Sequence, residues 1–207
     1  MPPTSLPSFR QCSILQDHGL DDRGLHDHGL HDHGLHESRQ HEACCVSAGQ
    51  GEPGAWTLST PDEGKLRELA SVFREHLHAP LVVYLRGDLG AGKTTFARAL
   101  IQSLGYSGRV KSPTYGLLET YSAGGMTILH LDLYRIDRPR DLEQLAIRDL
   151  FDEKSLLLVE WPEKGGNFLP PADLELQFGE TQGQRCISFC PFSPAGVSLS
   201  LVVHDTL

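Results

Sequence analysis

The sequence predicts a single α/β domain with a mixed, mainly parallel central sheet, flanking helices and an antiparallel edge formed by the C-terminal strands. Three observations predict this fold. Short apolar runs typical of buried strands alternate with segments in which apolar residues recur every three or four positions, as they do in amphipathic helices. A glycine-rich turn joins one such strand directly to one such helix. Near the end of the chain, several short segments have the residue pattern that is typical of antiparallel strands.

Composition and charge restrict the class of protein. The chain has 207 residues, of which 39% are hydrophobic and 22% are charged, as in a soluble globular protein. Its formal net charge is −9, so its surface lacks the basic footprint of a protein that binds nucleic acid on its own. Any contact with RNA would therefore be local or made through a partner.

The location of the protein is predicted from three further features. No apolar run is long enough to span a membrane, and the N-terminus does not resemble a signal peptide. The five cysteines show no C-x-x-C spacing, which argues against a disulfide framework and favours reduced thiols. We therefore expect a cytoplasmic protein with no membrane contact.

Residues 1–55 differ from the rest of the chain. They hold seven of the eleven histidines and a five-residue repeat, Asp-x-Gly-Leu-His, whose copies start at Asp22, Asp27 and Asp32. A period of five fits neither a helix nor a strand, and each copy contains a glycine, so the segment is predicted to be a disordered tail. Two interpretations stay open, a tract that binds nickel, zinc or copper and an extension with no essential role.

The folded domain is predicted to span residues 56–207, and its first half to hold two strands and two helices. Thr60, Pro61 and Glu63 match a capping box with proline in the first turn, which predicts that a helix starts here with Thr60 as its cap. Gly105 is expected to end the second helix. The predicted elements are the strand Trp56–Ser59, the helix from Thr60 to a point before Pro80, the strand 81–85 and the helix from about Lys93 to Leu104.

The second half of the domain is predicted to hold a hairpin, a helix and further strands. The continuous apolar run at 156–159 is typical of a parallel strand that is buried on both faces. The predicted elements are the hairpin strands 117–121 and 126–133 joined by 122–125, a helix with Leu142, Leu145, Ala146 and Leu150 on one face, the strand 156–159, and strands near 173–178, 185–190 and 197–203.

The glycine-rich turn carries the most specific chemical signal. Residues 87–94 read Gly-Asp-Leu-Gly-Ala-Gly-Lys-Thr and fit G-x-x-x-x-G-K-S/T between a strand and a helix, which is the context that this motif requires. Backbone amides in such a loop surround phosphate oxygens, and the following helix presents its positive end to them. Lys93 would reach the β- and γ-phosphates and the Thr94 hydroxyl would be a Mg²⁺ ligand. The domain is therefore predicted to be P-loop NTPase-like.

Such a site also needs acids that manage the metal and the attacking water. Glu160 follows the apolar run 156–159 and Asp132 follows the run 128–131. The carboxyl ends of parallel strands are where ligands bind in sheets of this kind. Either acid could instead cap its strand or pair with Arg135 or Arg148, and the spacing does not decide which acid contacts Mg²⁺ directly.

The class of nucleotide is narrowed by a missing motif. The Asn-Lys-x-Asp segment typical of guanine recognition is absent, because the only asparagine, Asn167, is followed by phenylalanine. The absence of this segment favours adenine over guanine, so the predicted ligand is ATP with Mg²⁺. A small-molecule kinase stays open, because four arginines could form a lid over phosphates or simply a solvated face. These are Arg135, Arg138, Arg140 and Arg148.

Several blocks of the sequence together resemble the TsaE (YjeE) family, the ATPase of bacterial tRNA threonylcarbamoyladenosine (t6A) biosynthesis. The resemblance covers roughly residues 57–189. Two features depart from the family, namely the repeat-bearing tail and Gly116, which stands where the family often has threonine. The blocks are 61–63 (Pro-Asp-Glu), 87–95 (the glycine-rich loop with Thr95), 110–115 (Val-Lys-Ser-Pro-Thr-Tyr), 130–135 (His-Leu-Asp-Leu-Tyr-Arg), 147–149 (Ile-Arg-Asp) and 159–162 (Val-Glu-Trp-Pro).

This resemblance implies a Mg²⁺-dependent ATPase that works with two partner proteins, TsaB and TsaD. In the family, TsaD transfers threonylcarbamoyl to adenosine 37 of tRNAs that read codons beginning with A, and ATP hydrolysis by TsaE supports that complex. The chain would thus meet tRNA only indirectly, through its partners. A rival hypothesis is a metal-insertion nucleotidase, since some of these combine a His-rich tract with a phosphate loop, although they resemble GTPases.

The resemblance also implies roles for individual residues. Lys93 and Thr94 keep their phosphate and magnesium roles, and Glu160 becomes a metal-site ligand. Asp132 becomes an acid needed for hydrolysis, and Thr114 would sense the γ-phosphate. The implied nucleotide-binding residues are Glu63, Gly87, Asp88, Leu89, Gly90, Ala91, Gly92, Lys93, Thr94, Thr95, Trp161 and Arg185.

Overall fold

A seven-stranded mixed sheet forms the centre of the protein in a computed structural model that describes residues 54–60, 62–113 and 116–207. The predicted tail lies outside the described residues except for Gly54 and Ala55, and so do Pro61, Thr114 and Tyr115. The described residues all fall within one compact unit. No helix among them combines the length and the apolar character that a membrane span requires.

The order of the strands confirms the predicted mixed sheet. From one edge to the other it is β1-β7-β6-β2-β5-β4-β3. The central strands β6, β2, β5 and β4 are parallel neighbours, whereas β1, β7 and β3 pair antiparallel. Strand β1, rather than a C-terminal strand, therefore forms the edge beyond β7. The strands are β1 Trp56–Ser59, β2 Leu81–Gly87, β3 Leu118–Ala123, β4 Met126–Asp132, β5 Ser155–Glu160, β6 Leu174–Thr181 and β7 Gln184–Pro191.

Helices cover both faces of the sheet, so its central strands are buried on both sides. One face packs against helices α1 (Glu63–His76), α2 (Lys93–Ser103) and α4 (Pro194–Thr206), and the other against the segment 136–147 that contains a 3-10 helix. Every residue of β5 is buried. The continuous apolar run that predicted β5 is explained by this double cover, because neither face of the strand meets water.

The predicted strand near 197–203 is wrong, because this segment forms α4. The Ser193 side chain accepts a hydrogen bond from the Gly196 amide, and Pro194 occupies the first turn of the helix. Val197, Leu199 and Leu201 alternate with serines and so mimic the period of a strand. The cap and the proline decide the outcome, because they satisfy and pre-organise the first turn of a helix.

The prediction of one continuous helix through Leu142 and Leu150 is also wrong, because the segment forms two short helices. A 3-10 helix, Pro139–Leu145, is followed by the single α-helical turn α3, Ile147–Leu150. Ala146 between them has the left-handed conformation, with φ 46° and ψ 39°. Leu142 and Ile147 are buried, but Leu150 is 44% exposed. The apolar residues therefore do not share one face.

The start of α1 differs from the prediction by two residues. Asp62, not Thr60, caps the helix, and its side chain accepts from the Lys65 amide at 3.0 Å. Thr60 is buried and its amide donates to the Arg185 carbonyl, so it extends β1 alongside β7. The hairpin β3–β4 is confirmed, with a tighter turn at Gly124 and Gly125 than predicted.

Asp173 connects three elements, and its removal is expected to destabilise the fold. Its carboxylate accepts from the Val82 amide at 2.8 Å and from the Ser193 hydroxyl at 2.5 Å. Asp173→Ala leaves a backbone amide without its partner, so the free energy of unfolding should fall by about 2 kcal/mol. Urea denaturation followed by circular dichroism measures this. The matched variant Asp205→Ala, at an exposed carboxylate, should change it little, and equal losses would contradict the assignment.

Candidate nucleotide-binding site

The carboxyl ends of three parallel strands meet at one edge of the sheet. In the register of the sheet, Leu85 of β2 lies beside Glu160 of β5, and Glu160 lies beside Asp132 of β4. The glycine-rich loop that follows β2 therefore starts next to both acids. This is the position at which sheets of this kind bind their ligands.

A cleft of about 390 Å³ opens at this edge. Three separate segments of the chain supply its walls, namely the glycine-rich loop with the start of α2, the end of β4 and the end of β5. The structure thus brings most of the predicted site residues together. The lining residues are Leu89, Gly90, Gly92, Lys93, Thr94, Thr95, Asp132, Tyr134, Arg135, Glu160 and Trp161.

Glycine is required in the loop for two physical reasons. Gly87 and Gly90 have φ values of 134° and 80°, which residues with a side chain rarely adopt. At Gly87 a Cβ atom would also lie 2.2 Å from the carbonyl oxygen of Phe178 in the neighbouring strand β6. Within the described residues, no side chain caps the first turn of α2. The amides of that turn and the positive end of the helix dipole can therefore meet an anion.

Lys93 lies inside the loop rather than in solvent. Its side chain is buried, and Nζ donates to the carbonyl oxygens of Gly87 at 2.6 Å and Asp88 at 2.8 Å. Nζ also lies 4.1 Å from the centre of the Trp161 ring, a cation–π distance. Burial lowers the pKa of the Lys93 ammonium, whereas the Glu160 and Asp132 carboxylates oppose that shift. The acids thus help to keep a positive charge at the base of the cleft.

Thr94 and Glu160 are linked directly, as a magnesium site of this kind would require. The Thr94 hydroxyl donates to Oε2 of Glu160 at 2.7 Å, and Oε1 of Glu160 lies 2.9 Å from Nε2 of His130. Hydroxyl and carboxylate oxygens are the ligands that Mg²⁺ prefers. Among the described residues, no group of three or more His, Cys, Asp or Glu side chains is placed to hold a metal ion.

Asp132 lies beside this pair and is almost fully buried, with 5% exposure. Its Oδ1 accepts from the Tyr134 amide at 3.1 Å, and its own amide donates to the Leu117 carbonyl. The backbone on either side therefore fixes the carboxyl group at the wall of the cleft. Glu160 is an acid that contacts the predicted metal ligand Thr94 directly.

Some predicted residues lie outside the cleft lining. Glu63 is exposed on the first turn of α1 and forms an ion pair with Arg67 at 2.6 Å. Arg185 is exposed on β7 opposite Glu180, near the edge of the sheet where the loop starts. Gly87, Asp88 and Ala91 belong to the loop but do not line the cleft. The roles of these residues stay predictions, as does that of Thr114, which lies outside the described residues.

Sequence reasoning missed the roles of His130 and Tyr134. His130 is fully buried next to Glu160, and the Tyr134 ring lies 5.1 Å from that of Trp161 at the mouth of the cleft. One signal could have found His130, since it precedes Asp132 by two positions and so shares its face of β4. Tyr134 had no such signal, because it follows the strand.

The fold and the cleft define an α/β protein with a glycine-rich loop between β2 and α2, of the P-loop NTPase-like kind. The sequence model of the family described as threonylcarbamoyl adenosine biosynthesis protein TsaE matches residues 60–187. The chain therefore belongs to the TsaE family. TsaE proteins take part in the biosynthesis of threonylcarbamoyladenosine in tRNA.

Individual relatives agree with this assignment. The tRNA threonylcarbamoyladenosine biosynthesis protein TsaE of Haemophilus influenzae is 47% identical over 123 residues, which cover 57% of this chain and 78% of the relative. TsaE of Bacillus subtilis is 33% identical over 122 residues, covering 58% and 74%. The crystal structure of Bacillus subtilis YdiB has a TM-score of 0.62 at 24% identity and covers 73% of this chain and 95% of that chain. This last likeness supports the fold.

Substitutions at two of the three glycines of the loop separate crowding from backbone strain. Gly87→Ala adds a Cβ against the Phe178 carbonyl at a positive φ, so the free energy of unfolding should fall by about 3 kcal/mol or more. Gly90 has no atom within 4 Å of the added Cβ, so Gly90→Ala should cost only about 1 kcal/mol from its φ. Urea denaturation measures both.

Gly183→Ala provides the control outside the loop. Gly183 also has a positive φ, 76°, and open space around the added Cβ, so its loss should match that of Gly90→Ala. Equal losses at Gly87 and Gly90 would show that the contact with β6 does not restrict the loop.

Proposed function

We propose that this protein binds ATP with Mg²⁺ in the cleft and hydrolyses it to ADP and phosphate, in support of threonylcarbamoyl transfer to adenosine 37 of tRNAs that read ANN codons. One observation carries the proposal. A buried ammonium, a linked hydroxyl–carboxylate pair and a second buried acid share one cleft at the uncapped N-terminus of α2. Each supplies a function that phosphoryl transfer to water requires.

Recognition of the triphosphate is assigned to the loop and to Lys93. The loop amides and the first turn of α2 offer donors to phosphate oxygens. The Lys93 ammonium already lies against two loop carbonyls, and we expect it to turn from one of them to a phosphate oxygen. Trp161 would stay beside it. Glu63 and Arg185 at the neighbouring elements are the candidates for contact with the nucleoside, and the missing guanine-recognition segment favours adenine.

The metal is assigned to Thr94 and Glu160. The Thr94 proton is directed at Glu160, so the lone pairs of the hydroxyl are available to a cation. Oxygen ligands of this kind fit Mg²⁺ and not a soft metal. Bound there with the nucleotide, Mg²⁺ would supply neutralisation of phosphate charge.

Hydrolysis itself is assigned to Asp132 and Lys93. A carboxylate at the wall of the cleft can accept a proton of a water molecule and so orient its oxygen toward the γ-phosphorus. Lys93 and the loop amides would then stabilise the negative charge that develops on the phosphoryl oxygens. The low exposure of both side chains strengthens these charge interactions, because little water screens them.

The partners are proposed from the family together with the charge of the chain. We propose that TsaB and TsaD homologues form the complex that this ATPase supports, in the cytoplasm. With a net charge of −9, the chain is poorly suited to hold tRNA itself. It would thus act on tRNA only through the complex.

A small-molecule kinase has one observation in its favour, since Arg135 lines the cleft and could contact phosphate. The other three arginines of the predicted lid, Arg138, Arg140 and Arg148, are exposed and do not line it. Transfer of phosphate to an added metabolite instead of water would favour the kinase. The repeats that suggested a metal-insertion nucleotidase lie outside the described residues.

Replacement of the cleft lysine tests the proposed ATPase. Lys93→Ala removes the ammonium that would stabilise the transition state, so hydrolysis should fall by about 100-fold or more. Phosphate release is measured for the chain alone and mixed with TsaB and TsaD homologues, where the wild-type protein should associate and be stimulated. Lys154→Ala, at an exposed lysine, should keep the wild-type rate. Hydrolysis by Lys93→Ala at that rate would remove the site assignment.

Asp132 is expected to affect turnover more than binding. Asp132→Asn keeps the size of the side chain but lowers its ability to accept a proton, so kcat should fall by about 100-fold while the Kd of ATP changes little. Steady-state kinetics and calorimetric titration give the two quantities, with the exposed Asp149→Asn as the matched control. Equal losses in affinity and turnover would instead indicate that Asp132 holds the metal in the ground state.

A further inference from the structure

His130 lies two residues before Asp132 on β4, farther from the carboxyl end of the strand than the residue that lines the cleft. It sits on β4 beside Leu158 of β5 in the register of the sheet, with no exposed surface. Its face of the sheet also carries Ile128, which belongs to the apolar core under α1 and α2. An imidazole at this depth is a polar group among apolar side chains.

Among the described residues, only one nitrogen of this imidazole has a hydrogen-bond partner. Nε2 lies 2.9 Å from Oε1 of Glu160, whereas Nδ1 is buried and no residue of the described chain forms a hydrogen bond with it. A buried polar atom without a partner is costly, so an apolar residue would suit the core better. The contact that sets His130 apart from an apolar residue is therefore the one to Glu160.

The direction of the hydrogen bonds follows from the chemistry of the groups. An ionised carboxylate only accepts, so both the Thr94 hydroxyl and the Nε2 nitrogen of His130 donate to Glu160. Each carboxylate oxygen thus has one donor, and the two donors together fix the plane of the group. Since the Thr94 proton is directed at Oε2, the orientation of Glu160 also decides where the lone pairs of the Thr94 hydroxyl point.

We propose that His130 is a positioning residue for the divalent cation of the nucleotide, acting through Glu160 on Thr94. This inference rests on the proposed function. His130 touches neither nucleotide nor metal in this scheme. Partners of this outer kind, which orient a metal-site residue, typically change metal affinity by about tenfold or more when they are lost.

The test compares two substitutions that differ in their donor. His130→Leu places an apolar side chain of moderate size at this position and removes the donor to Glu160. His130→Gln places an amide donor near the position of Nε2. With the full chain and AMP-PNP, calorimetric titration gives the Mg²⁺ concentration at half-saturation, and the same titration in EDTA gives the affinity for the nucleotide alone. His130→Leu should raise the half-saturating Mg²⁺ concentration about tenfold, with little change in EDTA, and His130→Gln should stay near wild type.

Two controls separate positioning from a structural role. Ile128→Val weakens the same face of β4 without touching Glu160, so it should leave the Mg²⁺ requirement unchanged. If His130→Leu does not fold, His130→Asn takes its place, because the shorter amide does not reach Glu160. An unchanged Mg²⁺ requirement in the variant without the donor, or an equal rise in His130→Gln or Ile128→Val, would overturn this inference alone. Absence of Mg²⁺-dependent AMP-PNP binding in the wild-type chain would overturn the proposed function with it.

Discussion

The hydrogen bond from the Thr94 hydroxyl to Glu160 joins the two halves of the candidate site, and the rest of the site depends on it. Thr94 lies in the first turn of α2, whereas Glu160 ends β5. The 2.7 Å contact between them requires the parallel register of β2 and β5, since a slip of one residue would turn Glu160 to the other face. The loop, Lys93 and Asp132 occupy their places around the cleft because that register holds.

The site also concentrates polar groups in a sheet that is otherwise apolar. Lys93, Asp132 and Glu160 are each buried to within a few percent of full burial, and all three meet at one cleft. Such groups are costly to bury unless they are paired. Loop carbonyls accept hydrogen bonds from the Lys93 ammonium, which also lies over the Trp161 ring. The Thr94 hydroxyl and the His130 imidazole form hydrogen bonds with Glu160. The fold therefore keeps charged groups at the cleft, at a cost that local partners offset.

The elements around the loop could be predicted because their signals are local. The glycine-rich motif can be recognised from consecutive residues alone. The run at 156–159 is apolar throughout, which by itself predicts a strand that is buried on both faces. Two predicted elements were wrong because a short-range apolar pattern competed with a helix cap or with a residue in the left-handed conformation. Ser193 and Pro194 turned an alternating segment into α4, and the left-handed Ala146 divided an apparently continuous helix. The spacing of two places His130 on the same face of β4 as Asp132, but its contact with Glu160 could not be predicted from the sequence, because that contact depends on the pairing of β4 with β5.

We propose that the cleft between the glycine-rich loop and the two acids holds ATP with its metal. A crystal structure of the protein with AMP-PNP and Mn²⁺, the latter located by anomalous scattering, tests it most directly. We expect the triphosphate to lie along residues 87–94 and the metal peak to lie against the Thr94 hydroxyl. A nucleotide bound elsewhere on the molecule, or a metal peak remote from both Thr94 and Glu160, would contradict it.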